Sequence, residues 1–243
     1  DINRDLYIRM GAGLNAEEWE TDIFLGRNWD NANTNRSPTV GFSPGDTIYG
    51  SSTVTFDGNL DDQFLHSNVD PERFHNLVLA NDGDMLLPHA NLQIDGSLQI
   101  VKGVWDRDAD GLTHVIGGNL TIDATGSWSD STCTLRFEGQ SDQVVTDHSP
   151  GSLFGGIVVD QPYEATRLRL DTPLRLDHTS GLDVDVVRGT LDLGSQSLYA
   201  TGNVNIRGHG ELVAGPGALL QVGDGATLGV HVGGRLQLAG TDG

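Results

Sequence analysis

The chain has 243 residues, 37% of them hydrophobic, enough to bury a substantial core, and a formal charge of −20 from 34 acidic and 14 basic side chains. That charge repels phosphate backbones and anionic membrane surfaces, which excludes nucleic acid as an expected partner. No run approaches the ~18 consecutive apolar residues of a spanning helix, so membrane insertion is not expected, and a lone cysteine excludes an internal disulfide.

Residues 1–50 show no sustained period. Leu6–Tyr7–Ile8–Arg9 reads as a strand, and Asn15–Ala16–Glu17–Glu18 as one capped helical turn, with Glu18 three residues after its cap. The segment is expected to cap a stack of repeats, because a terminal layer otherwise exposes apolar core and unpaired strand edges. The chain opens at Asp1 without a charged-then-apolar signal segment, which reads as a processed or excised piece of a longer protein. Gly26–Arg27–Asn28–Trp29 resembles Gly126–Ser127–Trp128 further on, so the repeats are expected to begin near Phe24.

From residue 51 short alternating runs follow one another every 8 to 12 residues or so, the spacing of an all-β protein with many short strands. Leu92–Gln93–Ile94, Leu98–Gln99–Ile100 and Leu120–Thr121–Ile122 are examples, with Gly, Asn or Asp at nearly every break. The 33 glycines, about twice average usage, therefore mark turns rather than low complexity. Four phrases then return. Thr53–Val54–Thr55–Phe56–Asp57–Gly58 comes back as Thr134–Leu135–Arg136–Phe137–Glu138–Gly139, and Phe74–His75–Asn76–Leu77–Val78–Leu79 as Phe154–Gly155–Gly156–Ile157–Val158–Val159. Val101–Lys102–Gly103 matches Val187–Arg188–Gly189, and Gly118–Asn119–Leu120 matches Gly202–Asn203–Val204. Offsets of 80 to 86 residues across all four define a duplicated unit, covering 51–130 and 131–206, with a Gly-rich tail at 207–243. The segments 60–71 and 141–150 read as polar loops on a variable face.

Short strands closed by Gly corners, each adding one layer, predict an all-β right-handed parallel β-helix. At ~20 residues per rung each unit holds about four, giving about ten rungs and a stack ~50 Å long at the strand spacing. Asp57–Gly58, Asp95–Gly96 and Asp224–Gly225 also suit hairpins, so an array of β-sandwiches is the competing architecture.

The order Gly–x–Trp, Thr–x–Thr–x–Phe–acid–Gly, Phe–x–Asn–Leu–x–Leu and Gly–Asn–Leu–x–Ile, from about Gly26 to Ile206, resembles the β-helical repeats of large secreted bacterial surface proteins, adhesin-like and filamentous-haemagglutinin-like. The resemblance implies an extracellular or cell-surface location and a role in adhesion or filament structure. Separately, an open C-terminal rung would be a template for strand addition, so self-association or contact with neighbouring modules is expected, and a calcium-stabilised glycan-binding module is a further alternative. Many of the surface proteins that the repeats resemble carry a separate C-terminal sorting domain, and none is expected within these 243 residues.

The sharpest chemical motif is Asp106–Arg107–Asp108–Ala109–Asp110–Gly111–Leu112. Alternate carboxylates at Asp106, Asp108 and Asp110, a sharp Gly turn and the Leu112 carbonyl form a candidate calcium loop. Position twelve is Gly117 rather than a bidentate Glu, and the counterpart loop from Asp192 loses two of the three acids. Solvated turn carboxylates are the competing reading, and Asn81–Asp82–Gly83–Asp84 is a weaker candidate of the same kind. Asp is a turn residue, so many turns explain most of the 27 Asp; a high-salt surface is the other explanation.

An enzyme is not expected. Its alternative form is a polysaccharide lyase or glycoside hydrolase using Asp171, Asp177, Asp183, Asp185 and Asp192, close enough in sequence to stack on adjacent rungs. The eight histidines show no zinc-binding spacing, although His66 and His148 both fall in the loop before the Phe-led strand. Cys133 alternates with Leu135 and Phe137, as Ser52 does with Val54 and Phe56, which predicts a buried, inert thiol. Asn35–Arg36–Ser37 and Asn119–Leu120–Thr121 permit glycosylation.

Overall fold

The computed structural model describes residues 4–9, 13–15, 22–33, 41–43, 52–59, 62–106, 110–178 and 180–239. These form twenty-four strands and no helix. Adjacent turns pair in parallel at every ladder, and the stack is a β-solenoid of about nine turns. Register partners Leu77, Leu98 and Leu120 are 21 and 22 residues apart, but Ile23 and Val54 are separated by 31, so longer early turns bring the count below the expected ten.

Each turn has three faces. One ladder runs through Ile23–Leu25, Thr53–Phe56, residues 77–79, 98–100 and 120–122, then Gln143–Asp147, Arg167–Leu170, 190–192, 211–213 and Arg235–Leu238. The second runs through Leu6–Ile8, Trp29–Asn31, Gln63–Ser67, residues 86–88, Trp105, Trp128, Phe154, Leu174–Leu176, Ser197–Ala200 and Leu219–Val222. The third runs from Glu72–Phe74 through Leu92–Ile94, Thr113–Ile116, Thr134–Phe137 and Gly156–Asp160 to residues 184–186, 204–206 and Leu228–Val230. The strand at Gly13–Asn15 pairs with Gly41–Ser43, so Asn15 closes a strand; the rest of the expected helical turn, 16–18, lies outside the described residues.

Alternation sends every second side chain inward, and inward positions stack like on like up the axis. Phe74, Ile94, Ile116, Phe137, Val159, Val186 and Ile206 form one wholly buried column. On the second face Trp105 and Trp128 stack 5.0 Å apart at 10°, and Phe154 continues the pile 5.5 Å from Trp128. Burying such rings contributes ~2–3 kcal/mol each by area, with a further ~1 kcal/mol for ring-on-ring geometry. Cys133, Leu135 and Phe137 are buried together, as are Ser52, Val54 and Phe56, in agreement with the alternation read from sequence.

The segments expected as polar loops, 60–71 and 141–150, carry the strands Gln63–Ser67 and Gln143–Asp147. Their leading glutamines point inward and are buried, which inverts the polarity a sequence pattern relies on. Gln143 Oε1 accepts from Gly139 N at 2.9 Å while its amide donates to the Ile116 carbonyl at 3.0 Å and to that of Gly118; Gln161 of the next turn then donates to Oε1 at 2.7 Å. Gln63 repeats the arrangement with Gly58, Leu25 O, Arg27 O and Asn81. Above Gln161 the chain must bend without a side chain. Gly189 supplies φ +87°, and a Cβ there would lie 2.7 Å from that of Gln161.

The duplicated unit is not a whole number of turns. From Thr53–Phe56 to Thr134–Phe137 the chain passes through eleven successive faces, three and two-thirds turns rather than the four expected. Equivalent residues of the two units therefore sit one face apart: Phe56 is on the first ladder and Phe137 on the third. The corner-crossing strands shift with them. Leu98–Trp105 bends from first face to second, whereas its counterpart Leu182–Asp192 bends from third to first.

Candidate functional site

Several corners use an Asp or Asn side chain as a cap. At a corner the backbone leaves its ladder, and the N–H of the next strand needs an acceptor. Asp22 Oδ1 takes Thr53 N at 3.0 Å, Asn76 Oδ1 takes Ser97 N at 2.9 Å, Asn91 Oδ1 takes Thr113 N at 2.6 Å, and Asn119 Oδ1 takes Val144 N at 2.9 Å. Asp142 and Asn203 do the same for Arg167 and Thr227. Each such cap joins one turn to the next, so these side chains serve the fold before any ligand.

The five candidate catalytic acids do not stack in one line, Asp185 lying on the third face and Asp192 on the first, and each is held by a backbone, hydroxyl or guanidinium partner. Asp183 is buried and accepts from Gly202 N at 2.8 Å and His178 N at 3.1 Å. Asp185 takes both Nε and Nη2 of Arg207, at 2.7 and 2.5 Å, and this pairing raises the guanidinium pKa further. Asp192 accepts Gly194 N and pairs with Arg167, Asp171 pairs with Arg169, and Asp177 accepts the Thr201 hydroxyl.

Asp108 of the candidate calcium loop lies outside the described residues, with Arg107 and Ala109. Its neighbours Asp106 and Asp110 both have partners, and the Leu112 carbonyl accepts Thr134 N at 2.9 Å in the strand ladder. Asp82 of the weaker candidate pairs with Lys102 at 2.6 Å. Among the described residues no three His, Cys, Asp or Glu side chains are grouped to hold a metal.

His66 faces His89, 5.1 Å between ring centroids on the next turn. His114 is wholly buried edge-on to the stacked Trp105 and Trp128, both ring nitrogens lack hydrogen-bond partners, and burial lowers its pKa from 6.5 to about 3. It is a neutral core side chain. The Cys133 thiol is pushed up by burial and by the nearby Asp130 carboxylate, which removes the thiolate needed for nucleophilic chemistry.

One open feature was not found by sequence reasoning. On the outer side of the second face Tyr7, Asp30 and His66 occupy one register line across three turns. Two residues earlier on each strand stand Asp5, Asn28 and Phe64. Together with Trp29 these residues line a cleft of about 350 Å³. The alternating outward aromatics Tyr7, Phe64 and His66 were the available signal, but they are scattered over sixty residues of irregular spacing. Compared with family models, with curated proteins and with solved structures, the chain has no significant match in any of the three.

Proposed function

We propose that this chain is a structural segment of an exported surface or filament-forming protein, a stiff β-solenoid rod that carries adhesive features along its sides. The observation that supports this most is the commitment of its corner acids and amides to turn-to-turn caps. Nine turns locked by caps and ladders resist bending, and at ~4.8 Å per turn they span ~43 Å. Carboxylates already held by guanidinium and backbone groups favour this reading over a polysaccharide-cleaving one.

The turn at residues 219–238 extends this reading to assembly. Leu228, Val230 and Leu238 continue inward columns from Val204, Ile206 and Ala214 yet are 40%, 48% and 64% exposed. A neighbouring module or a second copy adding strands there would cover them. Electron microscopy of the purified chain, with and without calcium, tests the reading. Rods, alone or joined end to end, are expected; globular particles that degrade a polysaccharide would overturn it.

A further inference from the structure

In the outer cleft on the second face Asp5 and Asn28 cap the next turn through Asn28 N and Phe64 N, but the aromatic side chains are not demanded by the fold. Phe64 and His66 correspond in the second unit to Val144 and Thr146, which occupy the same places after the bracket glutamine. The aromatic pair is thus an addition to the scaffold. Its geometry follows from the ladder. Tyr7 stands on one turn, the short side chains Asn28 and Asp30 on the next, and Phe64 and His66 on the third. Two strand spacings, ~10 Å, separate the outer rows, so after subtracting ring thickness a slot ~6 Å wide runs above Asp30.

Its chemistry is one-sided. Two carboxylates line it, Asp5 and Asp30, and no Lys or Arg does. Asp5 accepts Asn28 N at 3.2 Å, but the half-buried Asp30 carboxylate makes no hydrogen bond or ion pair among the described residues. That separates Asp30 from Asp95, Asp160, Asp171, Asp185 and Asp192, all paired with arginine. Tyr7 is 55% exposed beside it, and the Phe64 and His66 rings are tilted 51° to each other at 5.5 Å, forming an angled wall. Aromatic faces attract cations through their quadrupole, and a carboxylate at the base of the slot adds the countercharge.

We propose that this cleft binds an alkylammonium group, with the nitrogen over Asp30 and its methyl or methylene groups between Tyr7 and the Phe64–His66 wall. The chain's net charge of −20 draws such cations toward the surface. A free quaternary ammonium compound and a lysine side chain of a partner share this chemistry.

The test is an NMR or calorimetric titration of the whole chain with choline, with N-acetyl-lysine amide, with the neutral choline isostere 3,3-dimethylbutan-1-ol, and with an oligosaccharide. Saturable binding of either cation at millimolar Kd, absent for the isostere, is expected, and the tighter cation identifies the source. Asp30→Asn should weaken it about tenfold and Tyr7→Ala about as much, while far-UV circular dichroism and the thermal midpoint stay unchanged. Equal binding of the isostere, binding of the oligosaccharide alone, no saturation by 50 mM, or full affinity in folded Asp30→Asn would each overturn the proposal.

Discussion

Replacing His114 by leucine should stabilise the protein, and increasingly so as the pH falls. The position is an inward one, flanked in register by Leu92 and Leu135, so leucine continues an existing column. At pH 7 the change removes two buried nitrogens without partners, worth ~1–3 kcal/mol, and loses the edge contacts with Trp105 and Trp128, worth ~1 kcal/mol. A net gain of about 1 kcal/mol is expected. The pH dependence follows from the lowered pKa. Above 6.5 the imidazole is neutral in both states and contributes no slope; between 6.5 and about 3 the unfolded chain binds a proton that the folded one refuses. Native stability therefore falls tenfold in the folding equilibrium for each pH unit across that window, and the loss is complete below it. Relative to the leucine variant, the wild type should be about 3 kcal/mol less stable at pH 5. Urea unfolding followed by far-UV circular dichroism at pH 7, 6 and 5 measures this, since the carboxylates contribute equally to both proteins and cancel in the difference. A stability difference that does not change with pH would refute the burial of a neutral imidazole.

Three further outcomes are expected. Gln143→Leu keeps the volume but orphans Gly139 N, the Gly118 carbonyl and the Gln161 amide, while the Ile116 carbonyl keeps Glu138 N, so it should cost ~3 kcal/mol in urea, and a loss below ~1 kcal/mol would show the bracket to be dispensable. Gly189→Ala meets both an unfavourable φ of +87° and Gln161, and should lose ~2–3 kcal/mol; Gly111→Ala, at φ +72° with open space around it, should lose only ~1 kcal/mol, and equal losses would remove steric fit as the cause. Cys133 should react with a disulfide reagent at pH 8 only after unfolding, and stoichiometric labelling of the native chain within minutes would contradict its burial.

The parts of this fold legible in the sequence are those with period two and an apolar inward face. Val54 and Phe56, Leu98 and Ile100, and Leu120 and Ile122 alternate with polar neighbours and were read correctly as strands of a parallel stack. Gln63 and Gln143 hid their strands because a buried amide satisfied by four backbone and side-chain partners looks like a loop residue until those partners are known. Number of faces and units per turn depend on where corners fall, and Gly marks corners and bends alike. The outer cleft was beyond sequence reading for a different reason. Residues 7, 30 and 66 share a line only because turns of unequal length happen to return the chain to the same register.

The fractional repeat has a consequence for how such a chain can grow. A further copy of the unit would not place its side chains in line with the first two, but one face further round, so a motif carried by every copy would climb the rod as a staircase. Only the fourth copy would look in the same direction as the first, eleven turns or ~53 Å away. Gain or loss of one copy would accordingly act as a rotary coupling, turning everything beyond it by a third of a revolution while leaving the stack itself unbroken.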